Sequence, residues 1–203
     1  MIYQILNKIG IYKAPKLFKR LLLEVKENDR MLDIGANVGF YSALMGKTKG
    51  QVYAYEPNPY AYKMLKKTTS KYKNVTTINM AVSCKNTKMK LFLHENHMEN
   101  PIKWSTGSSL DNQKANVTNN YVDVDVVDIA DLLEDTYKII KIDVEGHEIE
   151  ILNRIFALKL TNRFEHMFVE MHDHKMVHLS KESDLIRKYV SENNLDKIHL
   201  DWH

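Results

Sequence analysis

The segment MLDIGANVGFYS at residues 31–42 combines a buried-type apolar run with an aspartate, two glycines and an asparagine. A strand, a tight turn and a helix in this order typically bind a nucleotide at the carboxyl end of the strand. A dinucleotide-binding turn needs the pattern G-x-G-x-x-G, but Gly35 is followed here by Ala36 and Asn37. No Gly-Lys-Ser/Thr follows either, which excludes a P-loop. The carboxylate of Asp33 would repel a pyrophosphate and suits a cationic ligand.

A second carboxylate stands where an adenosine ligand requires one. Glu56 ends the next apolar segment, 21 residues after Gly35, where it can accept hydrogen bonds from both ribose hydroxyls. Gly35 and Gly39 allow a close approach of the backbone, and Asn37 tolerates a left-handed conformation. These residues predict an adenosine derivative with a positive head and no phosphates, and S-adenosylmethionine fits that description.

Short apolar segments alternate with helical ones from Arg30 onwards, which predicts an α/β fold with a doubly wound, mostly parallel sheet and helices on both faces. The predicted strands are RMLDIG, GQVYAYEP, NVTTINMAV, YKIIKIDVEG, HMFVEMH and KIHLDW. The predicted helices are FYSALMGK, PYAYKMLKKTTSKY, HEIEILNRIFALKL and KESDLIRKYVSENN. The apolar run YKIIKIDVEG is typical of a central strand that is buried on both faces.

Two segments stand outside this alternation. Residues 1–27 are amphipathic and basic, with Ile2, Ile5, Leu6 and Ile9 at helical spacing, and they predict an N-terminal helical cap. A helix lying on a membrane surface is the alternative. Residues 84–127 contain two half-exposed strands, MKLFLHE and YVDVDVV, separated by a polar loop at 96–120. A loop of this length is usually functional or disordered, and its Trp104, Ser108 and Ser109 suit a cover over an acceptor.

Length and composition predict one domain over residues 1–203, in which 84–127 is an insertion. The formal net charge of +3 and the dispersed lysines do not provide the clustered basic face that nucleic acid requires. Cys84 has no second cysteine to pair with, and no apolar run is long enough for a membrane span, so we expect a cytoplasmic protein.

The chain resembles the FkbM family of class I S-adenosylmethionine-dependent methyltransferases. The segments that carry the resemblance span residues 31–172 and are LDIGANVGFYS, YAYEPNP, INMAVS, IIKIDVEGHEIEIL and VEMH. The resemblance departs from the family pattern at His147, where a small residue is commoner, and at Asn153-Arg154, where a glycine often ends the helix.

The resemblance implies a set of cofactor-binding residues. The methionine end would lie against Asp33, Gly35, Asn37 and Gly39, with Tyr41 and Ser42 near its carboxylate. The ribose would bind to Glu56, in a pocket shaped by Pro57 and Asn58, and the adenine would lie between Met80 and Ala81. The methyl-transfer site would be faced by Asp143. It also implies O-methylation, with a small-molecule or carbohydrate acceptor such as a hydroxyl of a sugar or another natural product.

Acidic and histidine residues gather at the ends of the fourth and fifth main strands, and they are Asp143, Glu145, His147, Glu148, Glu170, His172, Asp173 and His174. A hydroxyl acceptor must lose a proton, and we predict that His172 takes it, with Glu170 on the same face and Asp143 near the methyl group. The same residue types can bind a divalent ion, but their spacing matches no recognised ligand motif, so we expect no metal. The alternatives are a nucleic-acid methyltransferase and a non-catalytic S-adenosylmethionine-binding module. The sequence does not predict the oligomeric state.

Overall fold

The computed structural model describes residues 14–101 and 103–200. Its strands, in chain order, are β1 (Arg30–Ile34), β2 (Gln51–Tyr55), β3 (Val75–Ile78), β4 (Ala81–Ser83), β5 (Thr87–His94), β6 (Val117–Asp128), β7 (Tyr137–Ile142), β8 (Phe164–Val169) and β9 (Ile198–Leu200). Its α-helices are α1 (Lys16–Leu23), α2 (Phe40–Met45), α3 (Pro59–Thr69), α4 (Ile129–Leu132), α5 (Glu148–Ala157) and α6 (Ser180–Glu192). Three 3₁₀ helices cover Lys103–Gly107, Leu160–Arg163 and Val177–Leu179.

The main sheet has six parallel strands in the order β3-β2-β1-β7-β8-β9, so the predicted α/β fold is confirmed. The chain runs outwards from β1 in one direction and from β7 in the other, which makes the β1–β7 boundary the switch point of the sheet. In open α/β sheets, ligands bind outside the carboxyl ends of the strands at this point.

Both faces of the main sheet are covered. Leu32 and Ile140 point into an apolar core shared with α4, α5 and α6, while Met31 and Ile139 point into a second core shared with α1 and α2. This burial on both faces explains the unbroken apolar run of β7, the central strand that the sequence predicted.

The N-terminal cap is present in its described part. Phe18 of α1 is fully buried, and its ring meets those of Tyr41 and Phe168 at centroid distances of 5.4 and 5.2 Å. Ile2, Ile5, Leu6 and Ile9 lie outside the described residues. No helix within the described ranges has the length and apolarity that a membrane span needs.

The predicted strand NVTTINMAV is divided between two sheets. β3 ends at Ile78, and β4 joins a separate three-stranded sheet of order β4-β6-β5, in which β5 and β6 are antiparallel. The chain turns between them because the side-chain amide of Asn79 donates to the carbonyl oxygens of Glu56 and Pro57, at 2.8 and 3.0 Å. β6 also begins at Val117, four residues before the predicted strand and inside the predicted 96–120 loop.

The turn after β1 depends on left-handed backbone conformations. Gly35, Asn37 and Gly39 have φ angles of +75°, 48° and +91°. Gly35 has a second constraint, because a Cβ atom there would lie 1.8 Å from the carbonyl oxygen of Asp143. The turn therefore presses against the end of β7 at the switch point.

We expect Gly35→Ala to lower the free energy of unfolding by about 2–5 kcal/mol, because it adds backbone strain and an overlap with backbone atoms. Gly46→Ala is the matched control, since Gly46 has a φ of −63° and a Cβ there would meet only side chains of Val75 and Tyr72. Its cost should be smaller than that of Gly35→Ala, at about 1–3 kcal/mol, because side chains can shift to relieve an overlap and no left-handed conformation is involved. Urea unfolding of both variants measures the difference, and equal losses would contradict the assignment.

Candidate active site

A cavity of about 760 Å³ opens at the carboxyl ends of β1, β2 and β7, at the switch point of the main sheet. Its other wall comes from the small sheet and from the 3₁₀ helix Lys103–Gly107. This volume is in the range of cavities that enclose a ligand of nucleoside size together with a second small molecule.

Glu56 is a carboxylate held at one end of the cavity by backbone groups. Its Oε2 accepts the N–H of Asn37 at 2.7 Å, and its Oε1 accepts the N–H of Asn58 at 2.8 Å. Burial raises the pKa of Glu56 to about 7, although the two N–H bonds favour its charged form. Asn58 is fixed in turn, since its Oδ1 caps α3 and its Nδ2 donates to Ser108 Oγ at 3.0 Å.

Lys141 connects the two strands at the switch point. Its ammonium group is buried and lies 3.3 Å from Asp33 Oδ1, 3.3 Å from Asp143 Oδ2 and 2.8 Å from the carbonyl oxygen of Gly35. Burial alone lowers the pKa of Lys141, but Asp143 and Asp33 together raise it above its ordinary value. Asp33 is fully buried and also accepts a hydrogen bond from Ser42 Oγ at 2.6 Å.

An acidic cluster surrounds one imidazole at the ends of β7 and β8. His172 Nε2 lies 3.8 Å from Asp143 Oδ1, 3.6 Å from Glu145 Oε2 and 3.8 Å from Glu170 Oε1. On the other side of the ring, His172 Nδ1 is 2.9 Å from Glu148 Oε1. Burial lowers the pKa of His172, but Glu148 and the other carboxylates raise it to about 9. Burial, together with Glu170 and Glu145, raises the pKa of Asp143, while Lys141 opposes that shift.

The predicted loop is tied down over the cavity. Ser109 pairs with Phe92 of β5 through two backbone hydrogen bonds, and its Oγ donates to the carbonyl oxygen of Glu145 at 2.7 Å. Lys114, which is buried, donates to the carbonyl oxygen of Gly107 and forms a 2.5 Å ion pair with Glu145. These contacts join the small sheet to the acidic cluster through a single residue, Glu145, whose φ of 57° is unusual for a non-glycine residue.

An aromatic surface completes the side of the cavity formed by the small sheet. The rings of His94 and Trp104 are stacked with a centroid distance of 4.5 Å, and both residues line the cavity. Ser105 and Asn116 line the same side.

Most of the residues predicted from sequence line this cavity, and they are Gly35, Asn37, Tyr41, Glu56, Pro57, Asn58, Met80, Ala81, Asp143 and Glu170. Four others, Asp33, Gly39, Ser42 and His172, lie behind its wall. Asp33 therefore acts on the cavity through Lys141 and Ser42, and not through an exposed carboxylate. His147 is bound elsewhere, since its Nε2 lies 2.7 Å from Ser83 Oγ.

Four further residues that the sequence patterns did not predict also line the cavity, and they are Lys141, Lys114, His94 and Asn116. For Lys141 a signal existed, because a lysine inside a strand that is buried on both faces must have a charged partner. No comparable signal marked Lys114, whose partners depend on how the loop folds.

Comparisons with known proteins show which family the chain resembles. A sequence model of the methyltransferase FkbM domain family matches residues 33–196. The chain is 28% identical over 156 residues to the hexuronic acid methyltransferase AglP of Haloferax volcanii, and the match covers 75% of this chain. The chain spans about 60% of the length of that relative.

Solved structures similar to this one include the methyltransferase FkbM of Methylobacillus flagellatus KT, with 19% identity over 73% of this chain and 35% of that chain and a TM-score of 0.45. An rRNA methylase of Streptococcus thermophilus is 14% identical to this chain, with a TM-score of 0.45. That match covers 88% of this chain and 79% of the methylase chain.

We expect Lys141→Met to lower the free energy of unfolding by about 3–5 kcal/mol, because it leaves buried Asp33 without its cation. Lys138→Met is the matched control on the same strand, since Lys138 pairs at 2.9 Å with Glu165, which is 61% exposed. That change should cost about 1 kcal/mol or less. Denaturant unfolding measures both, and the double variant Asp33→Asn/Lys141→Met should recover part of the loss. A cost for Lys141→Met no larger than that of the control would refute the pairing.

Proposed function

The chain belongs to the methyltransferase FkbM domain family and uses S-adenosylmethionine, and from that premise we propose that it methylates a hydroxyl group of a carbohydrate acceptor. The observation that supports this most is the presence, in one cavity, of the Glu56 carboxylate at one end and the carboxylates of Asp143 and Glu170 at the other. The first end suits the ribose of the cofactor, and the second suits an acceptor that must lose a proton.

The residues around Glu56 fit the adenosine part of S-adenosylmethionine. Each oxygen of Glu56 accepts one backbone N–H and keeps a further lone pair, so both can accept a ribose hydroxyl. Pro57 and Asn58 lie beside this carboxylate, and Met80 and Ala81 offer apolar surface for the adenine.

The turn after β1 fits the methionine end. Its left-handed residues, Gly35 and Asn37, bring backbone to the cavity surface, and Tyr41 follows on α2. Asp33, Gly39 and Ser42 support this turn from behind. We assign Asp143 to the boundary between cofactor and acceptor, because it lies at the end of β7 directly beside this turn, with its N–H donated to Ile34 O at 3.1 Å.

S-adenosylmethionine supplies a methyl group that is already activated, so the protein must align the acceptor and receive its hydroxyl proton. We place the proton acceptor among the carboxylates that line the cavity, where Glu170 is 21% exposed. His172 is 1% exposed and bound to Glu148, so we assign it to positioning these carboxylates. This differs from the direct role that the sequence predicts for His172.

Carbohydrate as the acceptor is supported by three observations. The stacked rings of His94 and Trp104 offer the flat aromatic surface on which a sugar ring packs. Ser105 and Asn116 add polar groups beside it. The relative AglP is named for methylation of a hexuronic acid, which is a sugar. The carboxylates of the acidic cluster would repel nucleic-acid phosphates, which argues against a nucleic-acid acceptor.

Cofactor affinity should depend on pH through Glu56. Ribose hydroxyls bind best to its ionised form, so the affinity for S-adenosylhomocysteine should rise as the pH increases through about 7, the pKa of Glu56, and level off above it. Glu56→Gln should weaken binding by about 1–3 kcal/mol and flatten this profile. Calorimetry between acidic and mildly alkaline pH measures both effects. A Glu56→Gln profile as steep as that of the unmodified protein would exclude Glu56 as the source.

The proposed reaction yields a methyl ether. We expect methyl-labelled S-adenosylmethionine to label saccharides that contain hexuronic acid, and we expect the label to resist mild alkali. Alkali-labile label would identify a methyl ester on the carboxylate and would overturn the hydroxyl acceptor. Labelling confined to RNA or DNA in a parallel screen would overturn the carbohydrate acceptor.

The same assay tests the acidic cluster. Glu170→Gln should lower turnover by about 10²-fold or more, the scale for loss of a group that handles a proton, with little change in affinity for S-adenosylhomocysteine. Glu165→Gln, at an exposed position of β8, should leave turnover unchanged. A Glu170→Gln variant with full turnover would remove Glu170 from the reaction.

A further inference from the structure

Within the part of the chain that the structure describes, one nitrogen of the His172 imidazole has no hydrogen-bond partner. Its side chain is 1% exposed, and among the described residues only Nδ1 forms a hydrogen bond, to Glu148. Nε2 faces oxygen atoms of Asp143, Glu145 and Glu170, all at 3.6–3.8 Å, which is too long for a hydrogen bond.

Glu148 determines which ring nitrogen of His172 carries a proton. The Glu148 carboxylate is 1% exposed and already accepts the backbone N–H groups of Val144 and Gly146, each at 3.0 Å. An ionised carboxylate only accepts hydrogen bonds, so His172 Nδ1 must donate to it. Nε2 then points at the surrounding carboxylate oxygens, and the positive charge that this arrangement favours is either a proton on Nε2 or a cation bound between Nε2 and those oxygens.

The geometry suits a metal ion as that charge. One oxygen of Asp143, one of Glu170 and Nε2 of His172 lie within 4.8 Å of one another. Two ligands that are each about 2.1 Å from one ion lie about 3–3.5 Å apart, so side-chain movements of about an ångström would close the set. A histidine that binds a metal usually donates its other N–H to a carboxylate, as His172 does to Glu148.

We propose that Asp143 Oδ1, Glu170 Oε1 and His172 Nε2 form a binding site for one divalent cation of the Mn²⁺ type, which accepts both carboxylate and imidazole ligands. Lys141 holds the other oxygen of Asp143 and so directs Oδ1 towards His172. Lys114 holds Glu145 Oε2 in an ion pair, which leaves Glu145 outside the ligand set. The sequence predicts no metal because the spacing of its acidic and histidine residues matches no ligand motif. Such a motif is not needed here, since the three ligands come from the ends of two different strands.

The catalytic role of this ion rests on the proposed methyl transfer, whereas the binding of the ion to the protein does not. Because Asp143 and Glu170 line the cavity, the open side of the ion faces the acceptor. A bound ion lowers the pKa of a hydroxyl that it contacts. The hydroxyl proton passes to a carboxylate that lines the cavity, and the acceptor oxygen bonds to the methyl carbon as its carbon–sulfur bond breaks. The ion thereby allows weakly basic carboxylates to serve a hydroxyl acceptor.

Mn²⁺ binding tests this site without any methyl transfer. The chain is treated with a chelator, dialysed and titrated with Mn²⁺ in the absence of cofactor and acceptor, while paramagnetic resonance measures free Mn²⁺. We expect one bound ion per chain. Glu170→Gln and His172→Gln should each weaken binding at least tenfold, and Glu148→Gln, which orients the ring, should weaken it about 10–100-fold.

The matched control is Glu165→Gln, an exposed carboxylate of β8 that should leave Mn²⁺ affinity unchanged. Unchanged circular dichroism and S-adenosylhomocysteine binding will show that each variant is folded. No Mn²⁺ uptake at millimolar concentration, with nitrogen resonances showing both ring nitrogens of His172 protonated, would overturn the proposal in favour of an imidazolium. Binding that survives in both ligand variants would place the ion elsewhere and overturn it too. Failure of methylation with intact Mn²⁺ binding would count only against the proposed function.

Discussion

The buried ammonium of Lys141 is the interaction on which the rest of the site depends. A single cation contacts carboxylates from the ends of β1 and β7 and the carbonyl oxygen of Gly35 in the turn between β1 and α2. Each of these groups would carry a large cost of burial if it were isolated, and their mutual contacts offset much of that cost. The position of the turn after β1 and the direction of Asp143 therefore depend on one charge at the switch point of the sheet.

Local patterns predicted the parts of the fold that depend on neighbours in sequence. The alternation of short apolar segments and helices predicted the main sheet, and the continuous apolar run predicted that β7 is central. The small sheet was harder to predict, because β4 leaves the main sheet at a turn where Asn79 contacts the residues that follow β2, far away in sequence. A stretch such as NVTTINMAV has the same strand propensity on both sides of that turn, so propensity alone cannot divide it.

The candidate site also contains residues that could be predicted from their neighbours in sequence and residues that could not. Gly35 and Glu56 could be found from spacing because their chemistry depends on a turn and a strand end close in sequence. The position of Asp33 behind the cavity wall could not, because its partner Lys141 is on a strand that follows more than half the chain later. Likewise, His172 looks available from its position after β8, but Glu148, on another helix, occupies one of its ring nitrogens. Long-range pairs decide which polar residues face the cavity and which support it.

The two sides of the cavity belong to different sheets. The large sheet supplies the turn and Glu56, whereas the small sheet supplies the aromatic surface and the covering segment. Polar contacts between the two sides include those of Asn58 with Ser108 and of Glu145 with Ser109 and Lys114. The rings of His94 and Trp104 lie outside these contacts, so changes at the two rings can alter that surface of the cavity while the hydrogen bonds of Glu56 stay as they are. In evolution, such a separation allows one surface of the cavity to vary while the opposite surface stays unchanged.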